Sequence, residues 1–129
     1  MFGDDSPNAL CVIDSLGEIL LAAGDYDAAQ PLLEEALEGG RRVLGPEDRH
    51  TLCSVSSLGR LHQNRGDYDS ALPLLQFDVA ASRRTLGNEH YDTLVSLANL
   101  GLCHLLRGEH EAATTSGNPR QQFDFRGYL

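Results

Sequence analysis

The sequence predicts an all-α fold: an array of antiparallel helix hairpins, about two and a half units long. Three observations carry this. The phrase GDYDAAQPLLEEAL beginning at Gly24 returns as GDYDSALPLLQFDVA at Gly66, 42 residues later. The same shift superposes Gly24, Gly66 and Gly108; Ala29, Ala71 and Ala113; and the pairs Leu16-Gly17, Leu58-Gly59 and Leu100-Gly101. It also lays Leu44-Gly45 on Leu86-Gly87 and Thr51-Leu52 on Thr93-Leu94. Self-similarity at one fixed period of this size is the mark of stacked supersecondary units. The third observation is composition. Leu and Ala dominate the apolar residues and favour helices, while the absence of Trp and an aromatic content of 6% argue against one bulky aromatic core.

Each unit divides into two helices. First helices are predicted over 7–23, 49–65 and 91–107, and second helices over 26–43 and 68–85. In the first of these, Leu10, Ile13, Leu16, Gly17 and Leu20 recur at helical spacing and form one apolar stripe. Ser6 is placed as its N-cap and Pro7 at its first position, where a missing N–H costs nothing. Asp48 holds the same cap position in the second unit. Gly24, Gly66 and Gly108 fall where a helix ends in a left-handed residue that glycine adopts without strain. Asp25 and Asp67 then cap the second helices, and Asp27 and Asp69 lie in first turns that favour negative charge. Ala29, Leu32, Leu33, Ala36 and Leu37 form the packing stripe of the first unit's second helix. Ala29 and Ala71, facing Gly17, Gly59 and Gly101, are small because paired helices approach closely there. Mid-helix glycine costs about 1 kcal/mol relative to alanine, so three glycines at one register position imply a packing need. Gly39-Gly40 shows no such reason and is expected to bend or fray its helix.

Composition excludes several function classes. The net charge is −9, from 10 basic and 19 acidic residues. That balance argues against a nucleic-acid partner and against an anionic membrane surface. No apolar run approaches the roughly 20 residues of a membrane span. The opening MFGDDSPN lacks the basic and apolar regions of a signal peptide, so a cytoplasmic protein is expected. Three cysteines with no CxxC spacing fit reduced, buried thiols rather than a disulfide framework. Cys11 and Cys53 are repeat equivalents on adjacent first helices. Helix axes about 8–10 Å apart exceed the Cα separation of about 7 Å that a disulfide tolerates, so both read as small apolar packing residues. No phosphate-binding, nucleophile-elbow, zinc-protease or dinucleotide motif is present, and no cofactor, metal or catalytic residue is expected.

The small residue in each first helix, the GDYDAA turn and the spaced alanines of the second helix resemble the tetratricopeptide repeat. The 42-residue length and the linkers RRVLGPEDRHTL and RRTLGNEHYDTL resemble the kinesin light chain subtype. The likeness spans residues 6–113: 6–47 as one repeat, 48–89 as a second and 90–113 as a partial third. After Ala113 the stretch TTSGNPRQQFDFRGYL departs from the pattern, so 114–129 is a divergent tail. It either frays or folds back over the open end through Phe123, Phe125 and Tyr128. The resemblance implies a right-handed superhelical array whose concave surface, lined by first helices, binds extended peptides. It also places a large residue between paired helices at Leu20, His62 and His104, so packing outweighs a two-histidine metal pair.

Peptide-binding members of the family hold the ligand backbone with an asparagine on the first helix. The matching residues are Ser15, Ser57 and Asn99, and Asp14, Glu18, Arg60, Gln63 and Asn64 are expected to face the same groove. Members that grip a C-terminal carboxylate use several basic residues there, and Arg60 stands nearly alone. A mixed or basic peptide is therefore the expected ligand. The expected function is a protein-interaction scaffold; the alternatives are a structural stacking segment of a longer repeat protein or a self-associating module without its own ligand, and, behind these, a small metal-binding protein or enzyme, for which no motif is present. The segment LVSLANLGLCHLLRG supports association, because Leu102, Leu105 and Leu106 replace Arg60, Gln63 and Asn64 of the preceding unit. Three exposed leucines are an association liability.

Overall fold

The structure, a computed structural model, describes residues 6–116. Five helices follow in order: α1 (Pro7–Ala22), α2 (Tyr26–Val43), α3 (Arg49–Asn64), α4 (Tyr68–Leu86) and α5 (Tyr91–Ser116). They form an all-α array in which each helix packs on its neighbours in sequence. The first helices also touch one another, α1 against α3 and α3 against α5. No strand occurs among the described residues.

The turns follow from local chemistry. After α1, Gly24 takes φ 82°, its N–H donates to Leu21 O at 3.0 Å, and the Asp25 N–H donates to Leu20 O at 2.9 Å. Gly66 repeats this with φ 81°, donating to Gln63 O at 2.9 Å, while Asp67 N–H donates to His62 O at 2.8 Å. This left-handed closure satisfies two carbonyls that the helix end leaves open. The same aspartates then start the next helices: Asp25 accepts from Ala28 N–H at 3.3 Å and Asp67 from Ser70 N–H at 3.2 Å. Ser6 caps α1 and Asp48 caps α3. His90 stands where Asp48 does one repeat earlier, and its Nδ1 accepts from Asp92 N–H at 3.1 Å. Pro31 and Pro73 both lie inside second helices, yet α2 and α4 run through them, since the burial of the helix face overrides the lost backbone bond.

Three clusters of buried side chains make up the core among the described residues. Ile13, Leu32 and Ala36 pack α1 on α2. Leu21, Ala29, Leu33 and Leu37 meet Val55, Leu58 and Leu61 across the junction of the first two units. Ala71, Leu72 and Leu75 pack on Cys103 of α5. Gly17 and Gly59 are where the hairpins close. A Cβ on Gly17 would lie 2.7 Å from Leu33 Cδ2, and one on Gly59 2.6 Å from Leu75 Cδ2.

Several expectations are corrected. Leu16 is 39% exposed and Leu21 takes its place in the core. The equivalents Leu58 and Leu100 pack beside second helices of the preceding unit, and no described helix precedes α1. Gly101 has nothing within 4 Å of a Cβ, because no described helix lies where α4 lies against α3. Gly39 and Gly40 are buried, and a Cβ on Gly40 would meet Thr51 Oγ1 at 2.8 Å. That glycine pair admits α3 against α2 rather than fraying the helix. Gly108 does not end its helix; α5 continues to Ser116. Arg107 bridges Asp69 at 3.3 Å and Glu111 at 3.1 Å, and His110 meets the Tyr68 ring edge-on at 5.8 Å, which hold the chain helical past the glycine. Cys11 and Cys53 are exposed, and only Cys103 is buried, because the shared face of the first helices on which Cys11 and Cys53 lie points away from the hairpin interior. Phe123, Phe125 and Tyr128 lie outside the described residues.

Candidate groove on the first helices

A cleft of about 260 Å³ opens between α3, α4 and α5, with Glu18 of α1 at one end. From α3 it is lined by Arg49, Leu52, Cys53, Ser56, Ser57 and Arg60, from α4 by Asp78, Ser82 and Leu86, and from α5 by Asp92, Val95, Ser96 and Asn99. These side chains come to one surface because first helices from successive units lie side by side. Residues one 42-residue step apart then face the same way, as Ser57 and Asn99 do.

Of the residues expected in the groove, the structure gathers Glu18, Ser57, Arg60 and Asn99. Ser57 is buried and its hydroxyl donates to Glu18 Oε1 at 2.9 Å, bracing α3 on α1. The Asn99 amide points toward Ser56 Oγ at 3.5 Å, a long bond that leaves donor capacity for a ligand carbonyl. Asp14 lies in a separate recess of about 20 Å³ between α1, α2 and α3, where Ser54 donates to its Oδ1 at 2.8 Å. Ser15 and Asn64 are exposed but do not line the cleft. Gln63 is 8% exposed and points into the core, as its equivalent Leu21 does. At the open end Leu102 is exposed, whereas Leu105 and Leu106 are half-buried. Leu105 shares the core-facing register of Leu21 and Gln63, and only part of that core surrounds it on α5.

Periodicity alone passed over the charged interior. Asp78 is 4% exposed, with Ser96 Oγ at 2.7 Å from Oδ2 and Ser82 Oγ at 3.5 Å from Oδ1. Burial raises its pKa above the usual aspartate value; the two hydroxyls oppose that shift and Asp92 adds to it. Burial likewise raises Asp14, opposed by Ser54 and reinforced by Glu18. The Cys53 thiol, set against the same surface, is pushed up to about 11, first by desolvation and then by the carboxylates of Asp14 and Glu18. Arg49 Nη2 sits 3.2 Å from Asp92 Oδ2, closing one rim of the cleft. The sequence did hold a signal for Asp78: its equivalent one unit earlier is Ala36, so a carboxylate interrupts a packing stripe.

Among the described residues no group of three or more His, Cys, Asp or Glu side chains could hold a metal ion. His62 and His104 are both half-buried, and His62 Nδ1 lies 4.0 Å from Asp67 Oδ2. No described helix is long and apolar enough to cross a membrane.

No protein with a curated description matches this chain. The sequence profile of the tetratricopeptide repeat matches residues 5–76 and again 51–117. Those two overlapping spans take in every helix described above and both glycine-aspartate turns, so the chain belongs to the tetratricopeptide repeat family.

Proposed function

We propose that this chain is a protein-interaction module that receives an extended segment of a partner protein in the cleft between α3, α4 and α5. Repeats of this family generally serve as protein–protein interaction scaffolds. The observation that carries the reading is the cleft itself: about 260 Å³, lined by the first helices α3 and α5 and by α4, with Arg60 and Asn99 among its lining residues. Asn99 would hold a ligand backbone through its amide, and Arg60 would meet an acidic or carbonyl group at the rim. The 42-residue period and the two linkers support the kinesin light chain-like subtype. The three free thiols support a cytoplasmic setting. An interaction scaffold, rather than an enzyme, is the reading these features favour.

The test is a peptide-library selection followed by titration of the selected peptides. Asn99→Ala should weaken binding by about 0.5–1.5 kcal/mol, the worth of one hydrogen bond. Arg60→Glu should weaken acidic peptides more than neutral ones. Parent-like affinity in both variants would remove the groove assignment.

A second reading, association through the ends, is favoured by apolar side chains on both outer helices. Val12 and Ile19 are exposed on α1, and Tyr91, Leu94 and Leu102 on α5. The partner there would be a second copy of the chain.

A further inference from the structure

We infer that the cleft is specific for a cationic side chain, an arginine or lysine of the bound segment, which enters between α4 and α5 and pairs with the carboxylate of Asp78. This inference rests on the groove reading above and names the chemistry of its ligand.

The first support is the state of Asp78. It lines the cleft yet is 4% exposed, and the hydrogen-bond donors it meets are the hydroxyls of Ser96 at 2.7 Å and Ser82 at 3.5 Å. A carboxylate offers about four acceptor positions, so two hydroxyls, one of them distant, leave acceptor capacity toward the cleft. Among the described residues Asp78 makes no ion pair, and the charge that acts on it is the like charge of Asp92. A buried carboxylate without a counter-charge is costly, and an incoming guanidinium or ammonium supplies that charge.

The second support is the register. Asp78 stands where the first unit has Ala36, which is buried in the α1–α2 core. Stacking of these hairpins therefore proceeds without a carboxylate at that position. The acid appears in the unit whose second helix borders the cleft.

The third support is the sign of the surrounding field. Cys53 lies on the cleft wall, and its thiol responds to three carboxylates, Asp14, Glu18 and Asp78, against the one guanidinium of Arg49. Arg49 is itself held by Asp92 at 3.2 Å. Arg60, at the other edge, acts on Asp14. The middle of the cleft is thus electronegative, in a chain of net charge −9, and complementary charge selects and steers a cationic partner. A volume of about 260 Å³ accommodates one long side chain.

The experiment uses the full chain, isotopically labelled, and nonapeptide pools with degenerate flanks and a fixed central residue. That residue is arginine, lysine, glutamate or citrulline, the neutral isostere of arginine. The readouts are the resonances of Ser57, Ser96 and Asn99, the carboxyl resonance of Asp78, and protection of Cys53 from alkylation, with exposed Cys11 as the internal control. The arginine pool should bind about tenfold or more tightly than the citrulline pool, as expected for a charge-assisted hydrogen bond over a neutral one. It should also lower the pH at which the Asp78 carboxyl titrates and shield Cys53 but not Cys11. In Asp78→Asn the preference for arginine over citrulline should vanish. Equal binding of citrulline and arginine pools in the parent would overturn the cationic specificity while leaving the groove reading intact. Arginine binding that leaves the Asp78 resonance unmoved would also overturn it. If no pool moves the groove resonances, the groove reading and this inference fall together. The citrulline comparison needs no variant, so it decides the matter even if Asp78→Asn folds poorly.

Discussion

Arg65 Nη2 lies 2.7 Å from Asp27 Oδ1, tying the end of α3 to the start of α2, and its guanidinium also sits 5.8 Å from the centroid of the Tyr26 ring. One repeat later Arg107 and Asp69 take the same positions at 3.3 Å. The aspartate of each GDYD turn therefore serves twice, as first-turn acid of its own helix and as acceptor for the next unit. Asp27 is almost fully exposed, so solvent screens the pair. A double-mutant cycle on Arg65→Ala and Asp27→Ala should give a coupling of about 0.5 kcal/mol that shrinks at 1 M salt. A coupling unchanged by salt would show that packing on Tyr26, not charge, carries the contact.

The three register-equivalent glycines should respond in opposite directions. In Gly17→Ala and Gly59→Ala the new methyl meets Leu33 and Leu75, both fully buried, at 2.7 Å and 2.6 Å. Relieving those contacts requires the two leucines to repack within the hairpin interior, and overpacking of this kind costs about 1–3 kcal/mol. In Gly101→Ala the methyl meets nothing within 4 Å, and the helix gains about 1 kcal/mol of propensity. Thermal midpoints should fall for the first two variants and rise for the third. A drop for Gly101→Ala would contradict the open face of α5.

Which features were legible in the sequence follows from how local each one is. The caps at Ser6, Asp25, Asp48 and Asp67 and the left-handed glycines at 24 and 66 depend on residues within a turn of themselves, and a sequence displays those directly. The contact of Gly17 with Leu33 is also local to one hairpin. Helical spacing places Leu16 in the apolar stripe of α1, and register with Gly17 and Gly59 places Gly101 at a close helix approach. Each faces a neighbouring unit or helix, and at an end of the described array that neighbour is not there. Gly40 was opaque for a related reason: its partner Thr51 belongs to the next unit, 11 positions on, and no periodicity links them. In the groove, Ser57 and Asn99 could be found by register, whereas Asp78 could be found only by noticing a break in register.

Asp78 also sets a dependence of stability on pH. Burial raises its pKa in the folded protein, with Asp92 of α5 adding to the shift and the hydroxyls of Ser82 and Ser96 opposing it. The folded state then binds more protons than the unfolded chain between the ordinary aspartate value of 3.8 and the raised one. Stability falls as pH rises through that window and stays lower above it. Asp78→Asn removes the penalty, so its thermal midpoint should exceed the parent's at pH 7 to 8. The advantage should fade as pH drops below the ordinary aspartate value, where both side chains are neutral. A variant less stable than the parent at neutral pH would show that the charged form is favoured by the fold, reversing the sign assigned here.

The ends of the array yield the last prediction. On α1, Val12, Leu16 and Ile19 follow one another at helical spacing and are exposed, Val12 and Ile19 by more than 60%. The equivalents of Leu16 and Ile19 on α3, Leu58 and Leu61, are buried in the cluster shared with α2, and Ser54, the equivalent of Val12, is buried as well. On α5, Leu94 and Gly101 stand where Leu52 and Gly59 stand on α3, the side that closes on α4, and Leu102 beside them is 44% exposed. Both ends thus present surfaces of the kind that the interior of the array buries. Covering one leucine contributes about 1.5–3 kcal/mol, so a few such residues from each copy favour association at moderate concentration. Sedimentation of the full chain should show an apparent mass that rises with concentration. Leu94→Ser with Leu102→Ser should lower it toward the monomer value, as should Val12→Ser with Ile19→Ser if the contact joins unlike ends. Loss of association with the α5 pair alone would identify a symmetric α5–α5 contact instead. A parent chain that remains monomeric at the highest concentration reached would end the self-association reading and leave the groove as the working surface of the molecule.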